Sequence, residues 1–257
     1  MTTATADSAK EFVANLHLGI APQRPFGVTE NVSPFKPLDN QQQAVVVGAD
    51  VVSFTSQVSA QRRQDIQDCT LLAQLAANAK VNQSADIFAW YDTYFDVLSN
   101  LGWTIASKQF NSQESHGEEV DVHEAIIAVA TALLGAGSTG LALVITTLNA
   151  MKTMNASSPW ITIFKRESHK LKAQAFQIAV VEQDSAGQTT ITLMAFTLNV
   201  SSVMNQIVFF KIKTDDVTLQ NCSGSITINE GVLNAIRETL RKKVQDRAEG
   251  FVGALQV

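Results

Sequence analysis

Apolar residues change their spacing along this chain, and each change predicts an element. QAVVVGADVVSF, Gln43 to Phe54, is rich in β-branched residues and reads as one strand with Gly48 as a bulge or break. From about Ala60 the period becomes helical. Ile66, Cys69, Leu72, Leu75, Ala76 and Ala79 fall on one side, and Arg62, Arg63, Asp65 and Asp68 on the other. A second helix follows, with Ser84 as N-cap, a stripe through Ile87, Trp90, Tyr91, Tyr94, Leu98 and Leu101, and Gly102 just past its end. The two make a helical hairpin. Trp103–Phe110 reads as a strand, and NSQESHGEEVD as a polar loop. Ala125 to Met151 is apolar nearly all round and is broken by Gly135, Gly137, Ser138, Thr139 and Gly140, which predicts a second hairpin of two short helices. Two readings of that hairpin stand: a deeply buried pair, or a segment able to exchange protein contacts for lipid.

From Trp160 onward strands are expected near 160–166, 172–182, 188–200, 206–214 and 217–228, with Asp184–Gly187 as a hairpin turn. Their side chains are apolar on both faces. Met194, Phe196, Leu198 and Val200 share one face, while Ile191, Leu193 and Ala195 share the other. Past Ser201 and Ser202, Val208, Phe210 and Ile212 oppose Ile207 and Phe209. A sheet with one wet face alternates apolar and polar residues, so these strands need cover on both sides. A last helix starts at Asn229–Glu230 and buries Val232, Leu233, Ile236, Leu240 and Val244. The expected fold is a single-domain α/β (α+β) three-layer sandwich: a mainly antiparallel sheet, a helical hairpin on each face and a C-terminal helix. Residues 1–40 form an N-terminal irregular arm, since Pro22, Pro25, Pro34 and Pro37 interrupt it, with a short helix at about 7–16. Residues 41–257 form the domain.

Composition narrows the function. The chain of 257 residues is 46% hydrophobic and 17% charged, with formal net charge -5. No run of Lys and Arg offers the basic surface that phosphate backbones require, so a nucleic-acid partner is not expected. No uninterrupted apolar run is long enough for a transmembrane helix, and the first residues lack the pattern of a secretory signal. The expected location is the cytoplasm of the producing cell or release by a non-classical route, with action at a target-cell membrane. Cys69 and Cys222 read as inert buried thiols, with a disulfide or an acylated cysteine as alternatives. His116, Glu118, Glu119, Asp121 and His123 are of metal-ligating types, but their spacing fits no zinc or calcium loop, and solvation explains their polarity. No nucleophile elbow, phosphate loop or dinucleotide fingerprint occurs, so neither an enzyme nor a cofactor is expected.

The run IAVVEQDSAGQTTITLMAFTLNVSSVMNQIVFFKIK, Ile178 to Lys213, carries Asp184 and Gly187 in its turn, then Ala195-Phe196, Val200, Phe209-Phe210 and Ile212-Lys213. In these residues and their spacing it resembles the Cyt-type cytolytic toxins and their fungal relative volvatoxin. The order of elements agrees. The resemblance implies an α/β toxin that binds membrane lipid directly, is activated by trimming of its termini, and associates into homo-oligomers once its helical hairpins swing off the sheet. On that reading Ile178, Val180, Leu193, Phe196, Leu198, Phe209 and Phe210 contact membrane. Ile126, Ile127, Leu133, Leu134, Leu141, Val144 and Ile145 belong to the mobile cover, and Arg24, Lys36 and Arg247 are sites for proteases. The alternative is a non-lytic lipid-binding or acylated virulence protein on the same fold. Strands of 9–11 residues suffice to span a bilayer, but their backbone groups must all be paired there, which requires oligomers.

Overall fold

The computed structural model describes residues 4–19, 44–81, 86–105, 111–114, 120–154, 158–168, 174–199, 211–212, 218–248 and 252–255. In chain order the elements are α1 (Ala6–Asn15), β1 (Ala44–Val47), β2 (Asp50–Phe54), α2 (Ala60–Lys80), α3 (Ile87–Asn100), β3 (Trp103–Ile105), β4 (Asn111–Glu114), β5 (Val120–Asp121), α4 (Val122–Leu134), α5 (Thr139–Thr153), α6 (Pro159–Ser168), β6 (Gln174–Gln183), β7 (Thr189–Asn199), β8 (Lys211–Ile212), β9 (Thr218–Ile228), α7 (Glu230–Ala248) and β10 (Val252–Leu255).

One sheet runs in the order β10-β1-β2-β6-β7-β9-β3, with β4 also paired to β9. Its pairs are antiparallel except β2 with β6. Period-2 alternation sends side chains to two separate cores. Val45, Val52, Ala179, Val181, Ile191, Leu193 and Ala195 join the core under α2, α3 and α7. Val46, Val51, Phe176, Ile178, Val180, Met194 and Phe196 join the core under α4, α5 and α6. The chain is therefore a three-layer α/β sandwich with one helical hairpin on each face, as its pattern predicts.

Local chemistry explains the ends of the elements. Asp184 Oδ1 accepts from the amides of Ala186 and Gln188, and Gly187 takes a φ of 84°, which closes the β6–β7 hairpin. Asn229 Oδ1 accepts from Val232 N at the start of α7. Gly102 follows α3 with a φ of 89°.

Five expectations need correction. Gln43–Phe54 is not one bulged strand: Gly48, at a φ of 58°, reverses the chain into the β1–β2 hairpin. Residues 160–166 are not a strand. Pro159 opens α6, and Ile161, Phe164 and Ser168, spaced by three and four, pack inward. The N-cap of α3 is Asp86, which accepts from Phe88 N and Ala89 N, while Ser84 lies outside the described residues. The strand expected at 206–214 does not join the main sheet in its described part: Lys211 and Ile212 pair with β5 in a separate two-stranded sheet. NSQESHGEEVD is not all loop: Asn111–Glu114 forms β4 against β9, and Val120–Asp121 forms β5. The edge strand β10 was not predicted. Residues 4–19, inside the segment read as an arm, hold the short helix expected at 7–16. Ala9, Val13 and Leu18 are buried in the core beside α7.

Candidate functional site: the β6–β7 face and its two covers

On one face of β6 and β7 the rings of Phe176 and Phe196, direct register partners, stack at 5.2 Å between centroids. Phe164 of α6 meets Phe176 edge-on at 6.0 Å. Ile178 and Met194 form the next register pair, and Val180 lies beyond. Over this strip lie Ile126, Val129, Leu141, Val144, Leu148 and Met151 of α4 and α5, all buried. α5 approaches β6 closely at Gly140, where an added Cβ would lie 3.3 Å from Val180 Cγ1. Ser138 caps α5 by accepting from Leu141 N at 3.1 Å. Among the described residues, the hydroxyls of Ser53 and Thr147 form the polar bond from α5 to the sheet, at 3.1 Å. At β9 the same face turns polar: Ser223 is half-buried, and Ser225 and Thr227 are exposed.

The opposite cover is attached differently. Gln74 of α2 grips the β1–β2 turn, accepting from Ala49 N at 3.0 Å and donating to Val47 O at 2.6 Å. Arg63, fully buried, donates to the carbonyls of Val58 and Thr55 and lies over the Phe54 ring. Tyr94 of α3 donates to Asp50 Oδ2 at 2.8 Å, and Tyr91 donates to Phe196 O at 3.0 Å while accepting from Gln177 Nε2. Burial pushes the Asp50 carboxyl well above the usual carboxylate range, against the lowering effect of the Tyr94 bond. Between α2 and α7, Arg237 holds Asp65 through two 2.8 Å bonds, Arg62 pairs with Asp65 and Glu230, and Arg241 reaches Asp68 at 3.6 Å. Burial raises Asp68 to about 6 even with Gln64 and Arg241 beside it.

The structure gathers part of the predicted set. Ile178, Val180 and Phe196 share the α4–α5 side, but Leu193 faces the α2–α3 side. Leu198 pairs through its backbone with Gln174 and Leu219, and Phe209 and Phe210 lie outside the described residues. Of the cover, Ile126, Leu141 and Val144 are buried, and Ile127, Leu134 and Ile145 pack partly against them. Leu133 instead points out, 39% exposed at the hairpin tip. Arg247 lies inside α7 and donates to the carbonyls of Leu18 and Gly19, while Arg24 and Lys36 fall outside the described residues. Cys69 and Cys222 are free and buried in the α2–α3 core, and burial pushes the Cys222 thiol up to about 11. Among the described residues no group of His, Cys, Asp and Glu is placed to hold a metal, and no helix is long and apolar enough to cross a membrane. His116, Glu118 and Glu119 lie outside the described residues. The Asp50–Tyr94–Tyr91–Gln177 group and the Arg63 clasp were not read from sequence. The first joins positions dozens of residues apart, and the second, although its carbonyl partners lie only five and eight positions back, follows no residue motif because main-chain acceptors carry no sequence mark.

No protein-family model matches the chain, and no curated protein matches it significantly. Among solved structures, one titled "DELTA-ENDOTOXIN" overlaps with a TM-score of 0.36 at 12% identity, covering 74% of this chain and 89% of that one. Another, titled "Structure of the Evf virulence factor", overlaps with a TM-score of 0.32 at 15% identity, covering 88% and 89%. Overlaps of this size leave any functional reading to the chain's own geometry.

Proposed function

We propose that this protein perturbs lipid bilayers by releasing α4–α5 and presenting the apolar strip of β6–β7 to lipid. The observation that carries the reading is the contrast between the two covers. Among the described residues, the α4–α5 contact with the sheet is built of aliphatic and aromatic surface, with the Ser53–Thr147 hydroxyl pair. Burying side chains such as Ile126, Leu141, Val144 and Leu148 stabilises the closed form by roughly 1.5–3 kcal/mol each in water. That contribution vanishes when acyl chains replace the partner surface, because lipid tails are as apolar as leucine. The α2–α3–α7 cover is held by hydrogen bonds and ion pairs that lipid does not replace, so its removal would strand buried polar groups. Lipid therefore selects which hairpin leaves. Exposed strands in lipid need partners along both edges, so association of several copies accompanies insertion. The resemblance of Ile178–Lys213 to the Cyt-type toxins supports the same reading. The acylated alternative has less support, since both described thiols are buried.

The test is a lock. Gly140→Cys with Val180→Cys places two thiols where α5 touches β6, while Cys69 and Cys222 stay buried in the other core. Dye release from phosphatidylcholine vesicles should be lost in the oxidised double variant and return on reduction. Release by the fully crosslinked protein would overturn the reading. No release by the reduced or wild-type chain, before or after mild proteolysis, would favour the non-lytic alternative.

A further inference from the structure

We infer that the tip and outer face of α4–α5 already form, in the closed protein, a docking surface for the uncharged interfacial zone of a lipid bilayer. The inference rests on the membrane-directed reading above but not on release of the hairpin. Four observations carry it. First, no charged residue occurs from Ala125 to Met151, and the flanking Glu124 and Lys152 sit exposed at the base, away from the tip. Second, most outward positions near the tip are apolar, while the exposed Asn149 lies toward the base. Ala128, Ala132, Ala136 and Ala142 are exposed, and Leu133 at the tip is a large hydrophobic side chain left 39% exposed. Third, two threonines of the hairpin turn their hydroxyls onto the helix backbone, while Thr139 is exposed at the tip. Thr131 donates to Ile127 O at 2.7 Å and Thr146 to Ala142 O at 2.9 Å, which leaves methyl groups facing out. Fourth, the tip is convex and bare: Gly135 and Gly137 hold φ values of 82° and 79°, and an added Cβ at either would meet nothing within 4 Å.

These features identify the occupant. A protein partner is gripped by aromatic and arginine anchors set in pockets, and this face offers Ala, Gly, Leu and Thr on a convex turn. A fluid lipid surface needs no shape match and accepts such a tip to a depth of about 5–10 Å. Without Lys or Arg the face gains nothing from anionic headgroups, so a zwitterionic bilayer is its target. Docking would set the hairpin at the interface before release, so that the apolar contacts it gives up are replaced at once.

The experiment uses the full chain, oxidised at the Gly140→Cys/Val180→Cys pair, with Ala136→Cys carrying an environment-sensitive dye. Phosphatidylcholine vesicles should shift the emission to the blue. The shift should persist in about 1 M salt, where screening is nearly complete. The same dye at Phe88→Cys, on the other cover, should not respond. Leu133→Asp should weaken vesicle binding by about tenfold. A dye at position 136 that stays unshifted in phosphatidylcholine overturns the inference. So does a shift that requires phosphatidylglycerol, or one that grows with protein concentration without vesicles, as a second copy would cause. Tip docking without leakage after reduction keeps this inference and removes the release step. Leakage without a tip signal does the reverse.

Discussion

The same strands carry two helical covers, and the forces that hold them differ in kind. α2, α3 and α7 are joined to the sheet and to one another by an amide clasp at the β1–β2 turn, a buried arginine, tyrosine bonds to Asp50 and to strand carbonyls, and the Asp65–Arg237 fork. α4 and α5 are joined by apolar packing, with Ser53–Thr147 as their hydroxyl bond to the sheet. In water both layers are stable. In a low-dielectric surrounding the first grows stronger relative to its alternatives and the second loses its reason to stay. On the proposed reading, attachment chemistry, more than helix length or buried area, decides which layer moves.

The largest expected effect lies on the polar side. Arg63→Ala deprives the Val58 and Thr55 carbonyls of a buried cation donor and should cost about 4 kcal/mol in urea denaturation. Next, one chemical change made in each layer separates stability from function. Leu72→Ala under α2 and Leu148→Ala under α5 should each cost about 3 kcal/mol. Only Leu148→Ala should speed dye release, and equal acceleration by both would erase the distinction drawn here. Asp50 gives a smaller, pH-dependent effect. The folded chain keeps its proton above 3.8, where the unfolded chain loses it, so stability falls as pH rises through that region, by up to about 1.4 kcal/mol per pH unit. Asp68 adds the same sign between 3.8 and about 6. Asp50→Asn should flatten the decline of Tm as pH rises above 3.8, beyond the part Asp68 contributes, and an unchanged slope would place the proton elsewhere. The smallest effect belongs to the hydroxyl pair. Ser53→Ala alone should cost about 1 kcal/mol, and Ser53→Ala with Thr147→Val close to nothing.

Much of the frame was legible because periodicity is local. The stripes of α2, α3 and α7, the β6–β7 turn and the two-faced strands all follow from spacing within one element. Where short β-branched runs were ambiguous, the reading slipped. ITIF after Pro159 alternates like a strand yet packs as a helix, since Ile161, Phe164 and Ser168 meet one face. The facing of Leu193 and Leu133 depends on register and on where a helix ends, so neither the turn of Leu193 toward α2–α3 nor the outward position of Leu133 on the α4–α5 cover could be read from spacing alone. The polar clasp was hidden for a different reason. Arg62, Arg63, Asp65 and Asp68 look like a solvated face, but α7 and the strand ends bury them. That cover became visible only once Arg237 and Arg241, far along the chain, were placed opposite Asp65 and Asp68.

Amide hydrogen exchange followed by mass spectrometry, with and without phosphatidylcholine vesicles, tests the central claim most directly. Peptides from residues 122–153 should exchange through an opening well below global unfolding, and should change their protection on vesicle addition. Peptides from 60–100 should exchange only with global unfolding and stay protected on the membrane. Exchange of the two covers in step, or loss of protection first in 60–100, would contradict the account.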